Sequence, residues 1–415
     1  MACQKDAVVD QRVVTLYTLA DPPKTPEPTS ACTVPTTAYA LYSAAGDFQP
    51  DPSSPPQEGH LLNVANPELD AIPAVTRQLS LDVRLGADRW RGFGRVSSSG
   101  PVALSLWPIG HECELTTSVD ARPGSTLTPY DDHHVLVTGG AGLASFIVDF
   151  SNGAVTQLSR TQDIDAPRSL ATATAFDGGV IVAGGEAGNQ PAPNAELFDA
   201  KSGSFIGDPI VLAQPRAEQG AVLLANGEVL LVGGVGADGG LFPSCVAVDP
   251  VQRHATSAGL ATLQTSRANP TVLRLTSGEV LVLGGTDVAG KPISSIEWLS
   301  KDATQNTGLA TLPSSAHETF VALAGGGALA VISPDTPGPT TAFVITPDHQ
   351  VQQAASISSL PPAANVRLFD GADGAPLLWT GSSWFRWSPW QAAFVSFSEA
   401  TSADGTPTAN GPSSE

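Results

Sequence analysis

Four arginines stand at nearly the same distance from a recurring glycine pair. Arg122, Arg216 and Arg267 lie 17 residues before Gly139, Gly233 and Gly284, and Arg168 lies 16 before Gly184. A guanidinium offers five donors in a planar fork that matches a carboxylate. Arginines held in register across a repeat would meet where the repeats meet. Their first reading is therefore a ring that binds a carboxylate or an acidic peptide. Their second is structural, each arginine pairing with a carboxylate of its own or a neighbouring repeat; Glu196, Asp199, Asp249 and Glu297 are the candidates.

Other residues have chemistry to offer. Asp131-Asp132-His133-His134 has the composition of a metal site. It occupies a turn, however, where sequence neighbours need not converge on one ion, so no metal ligand and no cofactor are assigned. His254, His317 and His349 fall at unmatched offsets. Trp384, Trp387 and Trp390 offer a sugar-stacking surface or, at their alternating spacing, core residues. Arg84, Arg89, Arg91 and Arg95 surround Trp90 and Phe93, which reads as an anionic-polymer or carbohydrate surface or as a solvated strand face. No Gly-x-Ser-x-Gly elbow and no phosphate loop occurs.

The elements that must position these residues are repeats. Glu228-Val229-Leu230-Leu231-Val232-Gly233-Gly234 returns as Glu279-Val280-Leu281-Val282-Leu283-Gly284-Gly285, with looser copies at residues 135–140 and 180–185. Asp177-Gly178, Asn226-Gly227 and Ser277-Gly278 precede them and carry tight-turn chemistry. Each apolar run predicts a strand buried on both faces, ended by glycines where the backbone comes close to another chain segment. Gly326-Gly327 and Asp373-Gly374 align two further copies, with Ser333 and Thr380 in the slot of the first glycine. The six anchors are then 45, 49, 51, 49 and 47 residues apart. A strand such as Glu196-Leu197-Phe198-Asp199 follows each anchor, giving four strands per repeat.

These residues, with Pro167-Arg168 and Pro215-Arg216, resemble the repeats of the kelch β-propeller family, in particular exported bacterial kelch-like proteins. The likeness runs from about residue 120 to 399. It implies an all-β fold with six or seven kelch-like blades, closed by help from the region of Glu114 to Val119 if a strand is borrowed. It also implies that the arginines sit near one mouth of the central channel. Kelch-like repeats commonly hold a structural arginine there. Propeller enzymes of the oxidase kind need a tyrosine and histidine ligand set with a cross-linked cysteine, and of the four tyrosines only Tyr130 lies beside histidines.

Residues 21–118 read as a small N-terminal β-domain of five or six strands with Pro-rich loops, preceded by a tether and first strand over 1–20. Its clearest strand has Leu79, Leu81, Val83 and Leu85 at every second place. Residues 119–399 are assigned to the propeller and 400–415 to a disordered tail. Only 14% of residues are charged, yet the net charge is −20, which works against nucleic acid as a partner. Cys3 stands where a processed bacterial lipoprotein carries its lipid, so the expected setting is the outer membrane, periplasm or cell surface, with membrane contact only through that anchor. In an oxidising compartment Cys32 and Cys113 are the expected disulfide, leaving Cys245. The expected role is non-catalytic binding of a protein or carbohydrate by a monomer. The alternative is an oxidase or glycan-cleaving enzyme with its site at the channel mouth.

Overall fold

A computed structural model describes residues 124–131, 133–140, 144–149, 154–165, 167–313, 317–323, 326–333, 340–357, 366–369, 376–379, 384–388 and 393–396, with seven strands between residues 12 and 108. Every regular element among them is a strand, so no described helix is long and apolar enough to cross a membrane. The chain divides into two compact units, Met1–Ala310 and Thr311–Glu415.

The seven N-terminal strands form one sheet. The alternating stretch is the strand Gln78–Leu85, paired with Tyr39–Ala45 on one side and Asp88–Arg95 on the other. Arg12–Thr18 runs parallel to Val102–Pro108, with Val14 opposite Val102. Two short strands, His60–Asn63 and Glu68–Leu69, complete the sheet without an alternating pattern to announce them. The register sets Arg84 opposite Arg89 and Asp82 opposite Arg91.

Of the remaining described strands, Glu186–Ala187 and Gln190–Pro191 pair as a short hairpin and the others make six four-stranded antiparallel sheets, each built from near neighbours in sequence, as a kelch-like propeller requires. The first comprises Ser125–Pro129, His134–Gly139, Phe146–Asp149 and Ala154–Gln157. The second comprises Thr172–Phe176, Gly179–Ala183, Asn194–Asp199 and Ser204–Val211. The third begins at Gly220–Leu223 and the fourth at Thr271–Arg274; the fifth begins at His317–Ala322 and the sixth at Arg367–Phe369. Each repeat anchor falls at or just past the end of its sheet's second strand. Residues 114–119, suggested as a closing strand, and the tail after 396 lie outside the described residues.

The second strands are buried along their length: Val229–Val232 and Val280–Leu283 have no exposed position. Successive side chains of a strand point to opposite faces. Val229 and Leu231 accordingly join Ile181, Leu197 and Ile210 in the core between the second and third sheets. Leu230 and Val232 join Val280, Val282 and Leu299 in the core between the third and fourth. One four-residue run thus serves two cores, which explains why its apolar residues are continuous rather than alternating. In the second unit Leu329 and Val331 pack with Leu378 and Trp387 in the same manner.

The glycine pairs mark where one sheet's backbone meets the next. Gly233 has φ +66°, and a Cβ there would lie 2.6 Å from the carbonyl oxygen of Arg267. Gly239 also has positive φ, at +77°, but a Cβ there would meet nothing within 4 Å. Both Gly→Ala changes carry the left-handed penalty of roughly 1–2 kcal/mol, and only Gly233→Ala adds a collision with backbone. Urea denaturation should therefore show Gly239→Ala losing about 1 kcal/mol and Gly233→Ala clearly more, roughly 3 kcal/mol or above.

Candidate functional site

Arg168, Arg216 and Arg267 are 1%, 0% and 0% exposed, among the largest fully buried side chains described. Arg122 lies outside the described residues. Each buried guanidinium grips the backbone of its own sheet. Arg267 Nη1 donates to the carbonyls of Gly284 at 3.0 Å and Ser295 at 2.9 Å. Arg216 Nη1 does the same to Gly233 and Ser244, both at 3.0 Å. Arg168 Nη1 reaches Gly184 at 3.3 Å and Asn194 at 3.1 Å. The side chain thereby ties the end of the second strand to the start of the third.

The counter-charge comes from the third strand. Arg168 is ion-paired with Glu196, and Arg267 with Glu297 at 2.8 Å. Glu297 also accepts from the backbone N–H groups of Gln264 at 2.7 Å and Thr265 at 3.1 Å, and from Asn306 Nδ2 at 2.7 Å. In the third sheet the glutamate's place, two residues after Ser244, is held by Val246. Arg216 instead donates to Gln214 Oε1 at 2.9 Å and Ser244 Oγ at 3.2 Å, and lies over the Phe242 ring, 4.8 Å from its centroid. Burial without a carboxylate pushes the Arg216 guanidinium down to about 10. Burial likewise pushes the neighbouring Cys245 thiol up to about 12, which leaves it protonated and unreactive.

The ligand-binding reading of the arginines is therefore corrected for the three that are described. Arg168 and Arg267 donate to carbonyls and a carboxylate, Arg216 to carbonyls, a carboxamide and a hydroxyl, and all three side chains are buried within the sheets. Spacing placed them in register correctly, but spacing does not report depth.

What does reach solvent at this end of the sheets is a second registered series, two residues on. Leu170, Glu218 and Asn269 all have left-handed backbone, with φ of 54°, 55° and 49°. Their backbones form a relay between sheets: Glu218 N–H donates to Leu170 O at 3.1 Å, and Asn269 N–H to Glu218 O at 2.6 Å. Glu218 Oε2 accepts from Asn269 Nδ2 at 2.7 Å on the surface. Beside them project the hairpins that follow the glycine pairs, carrying exposed Asn189, Gln190, Asp238 and Lys291 and half-buried Asp287. A left-handed residue that is not glycine is uncommon, and three in register could have been noticed only once the turns were seen. Sequence reasoning missed this series.

The tryptophans divide. Trp387 is 4% exposed and packs edge-on against Phe394, 5.2 Å between centroids, inside the core of the second unit. It is not part of a stacking surface, because strand alternation turns it inward. Trp384 lies in the strand Trp384–Ser388 opposite Trp379, and Trp390 lies outside the described residues. So do Cys3, Cys32 and Cys113.

At the opposite strand ends, the turn between the first two strands of the first sheet brings Asp131, His133 and His134 together. One nitrogen from each imidazole and one Asp131 oxygen lie within 4.8 Å of one another. The sequence reading set this cluster aside for want of convergence; the turn supplies it.

No protein-family model matches the chain, and no curated protein matches it. Among solved structures it is similar to that of YjhT, with a TM-score of 0.52 and 13% identity over 68% of this chain and 99% of that one. At such identity the likeness shows the fold alone, and it supports a kelch-like propeller.

The two kinds of buried arginine should respond differently to truncation. Arg267→Ala leaves Glu297 charged and buried, and should cost about 3–5 kcal/mol in urea denaturation. Arg216→Ala strands carbonyls but no charge, and should cost about 1–3 kcal/mol. Equal losses would mean that the Glu297 charge is relieved in some other way.

Proposed function

We propose that this protein is a non-catalytic binding propeller whose ligand is taken at the end of the sheets where the glycine pairs lie, through Glu218, Asn269 and the adjoining hairpins. The supporting observation is the division of labour between the two registered series. The arginines are consumed by the fold, whereas the residues two places later carry the relay through their backbones and set their side chains at the surface, where Glu218 and Asn269 share one hydrogen bond. The exposed groups here are carboxylates and carboxamides, with Lys291 the one cation among those named. Such a surface complements hydroxyl-rich or cationic groups and disfavours an acidic ligand. A neutral glycan or a basic segment of a protein fits it, and the acidic peptide first considered does not.

The setting proposed is the surface or periplasm of a bacterial cell, and the sparing use of charge in a strongly acidic chain is in keeping with it.

Glycine suits positive φ, so Glu218→Gly with Asn269→Gly removes both side chains without straining the relay. The expected result is saturable binding of the parent to a neutral-glycan array or an immobilised oligolysine peptide. The double variant should bind at least roughly tenfold more weakly, the equivalent of one or two hydrogen bonds, while its melting temperature falls by no more than loss of the one exposed Glu218–Asn269 bond accounts for. A parent that binds neither probe, or a variant that binds as well as the parent, contradicts the proposal.

A further inference from the structure

The five-residue turn between the first and second strands recurs in several sheets. Its closing bond runs from Tyr130 N–H to His134 O at 3.2 Å, as from Leu224 to Glu228, Leu275 to Glu279 and Leu323 to Gly327. In those three the fourth residue is Gly227, Gly278 or Gly326, with positive φ. In the first sheet the same slot holds His133. The fold is satisfied by glycine here, so an imidazole in this place, followed by another, serves something other than the turn.

The geometry is already organised. Asp131 Oδ1 accepts from the backbone N–H groups of His133 at 3.0 Å and His134 at 2.7 Å, and Oδ2 contacts His134 Nδ1 at 2.7 Å. The two imidazoles lie 4.0 Å apart between centroids. Tyr130 stacks on His134 with an interplanar angle of 3° and meets the buried Phe198 edge-on, which fixes the His134 ring against the core. On the far side of that ring, His134 Nε2 faces Asp149 Oδ2 at 3.7 Å.

We propose that Asp131, His133 and His134 form a divalent transition-metal site of the zinc class, with Asp149 orienting His134 from behind. The donor set is two imidazole nitrogens and one carboxylate oxygen, which suits zinc in tetrahedral coordination with a fourth position open to water. His134 would ligate through Nδ1 and, as a neutral ligand, carry its single proton on Nε2, on the side of Asp149. That is the carboxylate–histidine–metal arrangement by which outer carboxylates fix a ligating ring. The ion would enter between His134 Nδ1 and Asp131 Oδ2. Zinc bonds of about 2.0–2.2 Å need donor atoms roughly 3.4 Å apart, so that 2.7 Å contact opens by less than an ångström. The site lies at the end of His134–Gly139 remote from Gly139, and is therefore independent of the binding face proposed above.

Isothermal titration of the full chain with zinc chloride tests this. The parent should bind one zinc per chain, and Asp131→Asn and His133→Ala should each weaken binding roughly tenfold or more. His254→Ala, in the third sheet, should leave it unchanged. Asn at 131 keeps the acceptor for the turn's N–H groups, so melting temperatures without zinc should match the parent's, while zinc should raise only the parent's. No saturable one-to-one binding by the parent overturns the proposal. So does undiminished binding by both site variants, which would place the zinc elsewhere.

Discussion

The structure rests on one interaction repeated between the first four sheets: in three of the four glycine pairs the second glycine donates its N–H to the carbonyl of the arginine belonging to the next sheet. Gly140 reaches Arg168 at 3.0 Å, Gly185 reaches Arg216 at 2.9 Å and Gly234 reaches Arg267 at 2.9 Å. Each arginine meanwhile holds its own sheet together with its side chain. Backbone joins one sheet to its neighbour, and guanidinium joins the strands within one. The glycines follow from that contact, because a Cβ at Gly184 would lie 2.4 Å from Arg216 O. The apolar cores between sheets supply most of the burial, but they are non-directional and would tolerate sliding. The interlock sets the register at which those faces meet.

A buried guanidinium is an expensive way to achieve this, since desolvation opposes it even when a carboxylate is near. Two sheets offset the cost with Glu196 and Glu297, and the third uses Gln214, Ser244 and the face of Phe242. That three different partner sets serve one guanidinium position argues that the gripped carbonyls, rather than any particular ion pair, are what the position provides. It also explains how the surface two residues later is left open. Leu170, Glu218 and Asn269 make the relay between sheets with their backbones, and the Glu218 and Asn269 side chains meet beside it at the surface.

Much of this was legible in the sequence wherever a backbone constraint leaves a residue type behind. The turns at Asn226-Gly227 and Ser277-Gly278, the glycine pairs and the doubly buried runs are of that kind, and each lies where the repeats put it. The register of the arginines was legible too, but their depth was not, because spacing along a chain carries no information on which end of a side chain meets water. Glu196 and Glu297 were among the carboxylates that the sequence offered as partners, and folding the third strand beside the second selects them over Asp199 and Asp249. Trp387 shows the same limit, its inward turn being set by its place in the strand rather than by its neighbours in sequence. The convergence of Asp131, His133 and His134 depends on a carboxylate that caps two backbone N–H groups, a geometry that composition alone does not reveal.

Amide hydrogen exchange at Gly185 and Gly234 tests the interlock most directly. Both N–H groups belong to loop residues just past strand ends, where exchange by local fraying is the ordinary expectation. If the contact with the following arginine's carbonyl holds the sheets in register, these amides will exchange as slowly as those of Leu230 and Leu281 in the buried second strands, through global unfolding alone. Exchange at the rate of the neighbouring hairpin amides of Gly239 and Gly290 would mean that the apolar faces hold the sheets together without it.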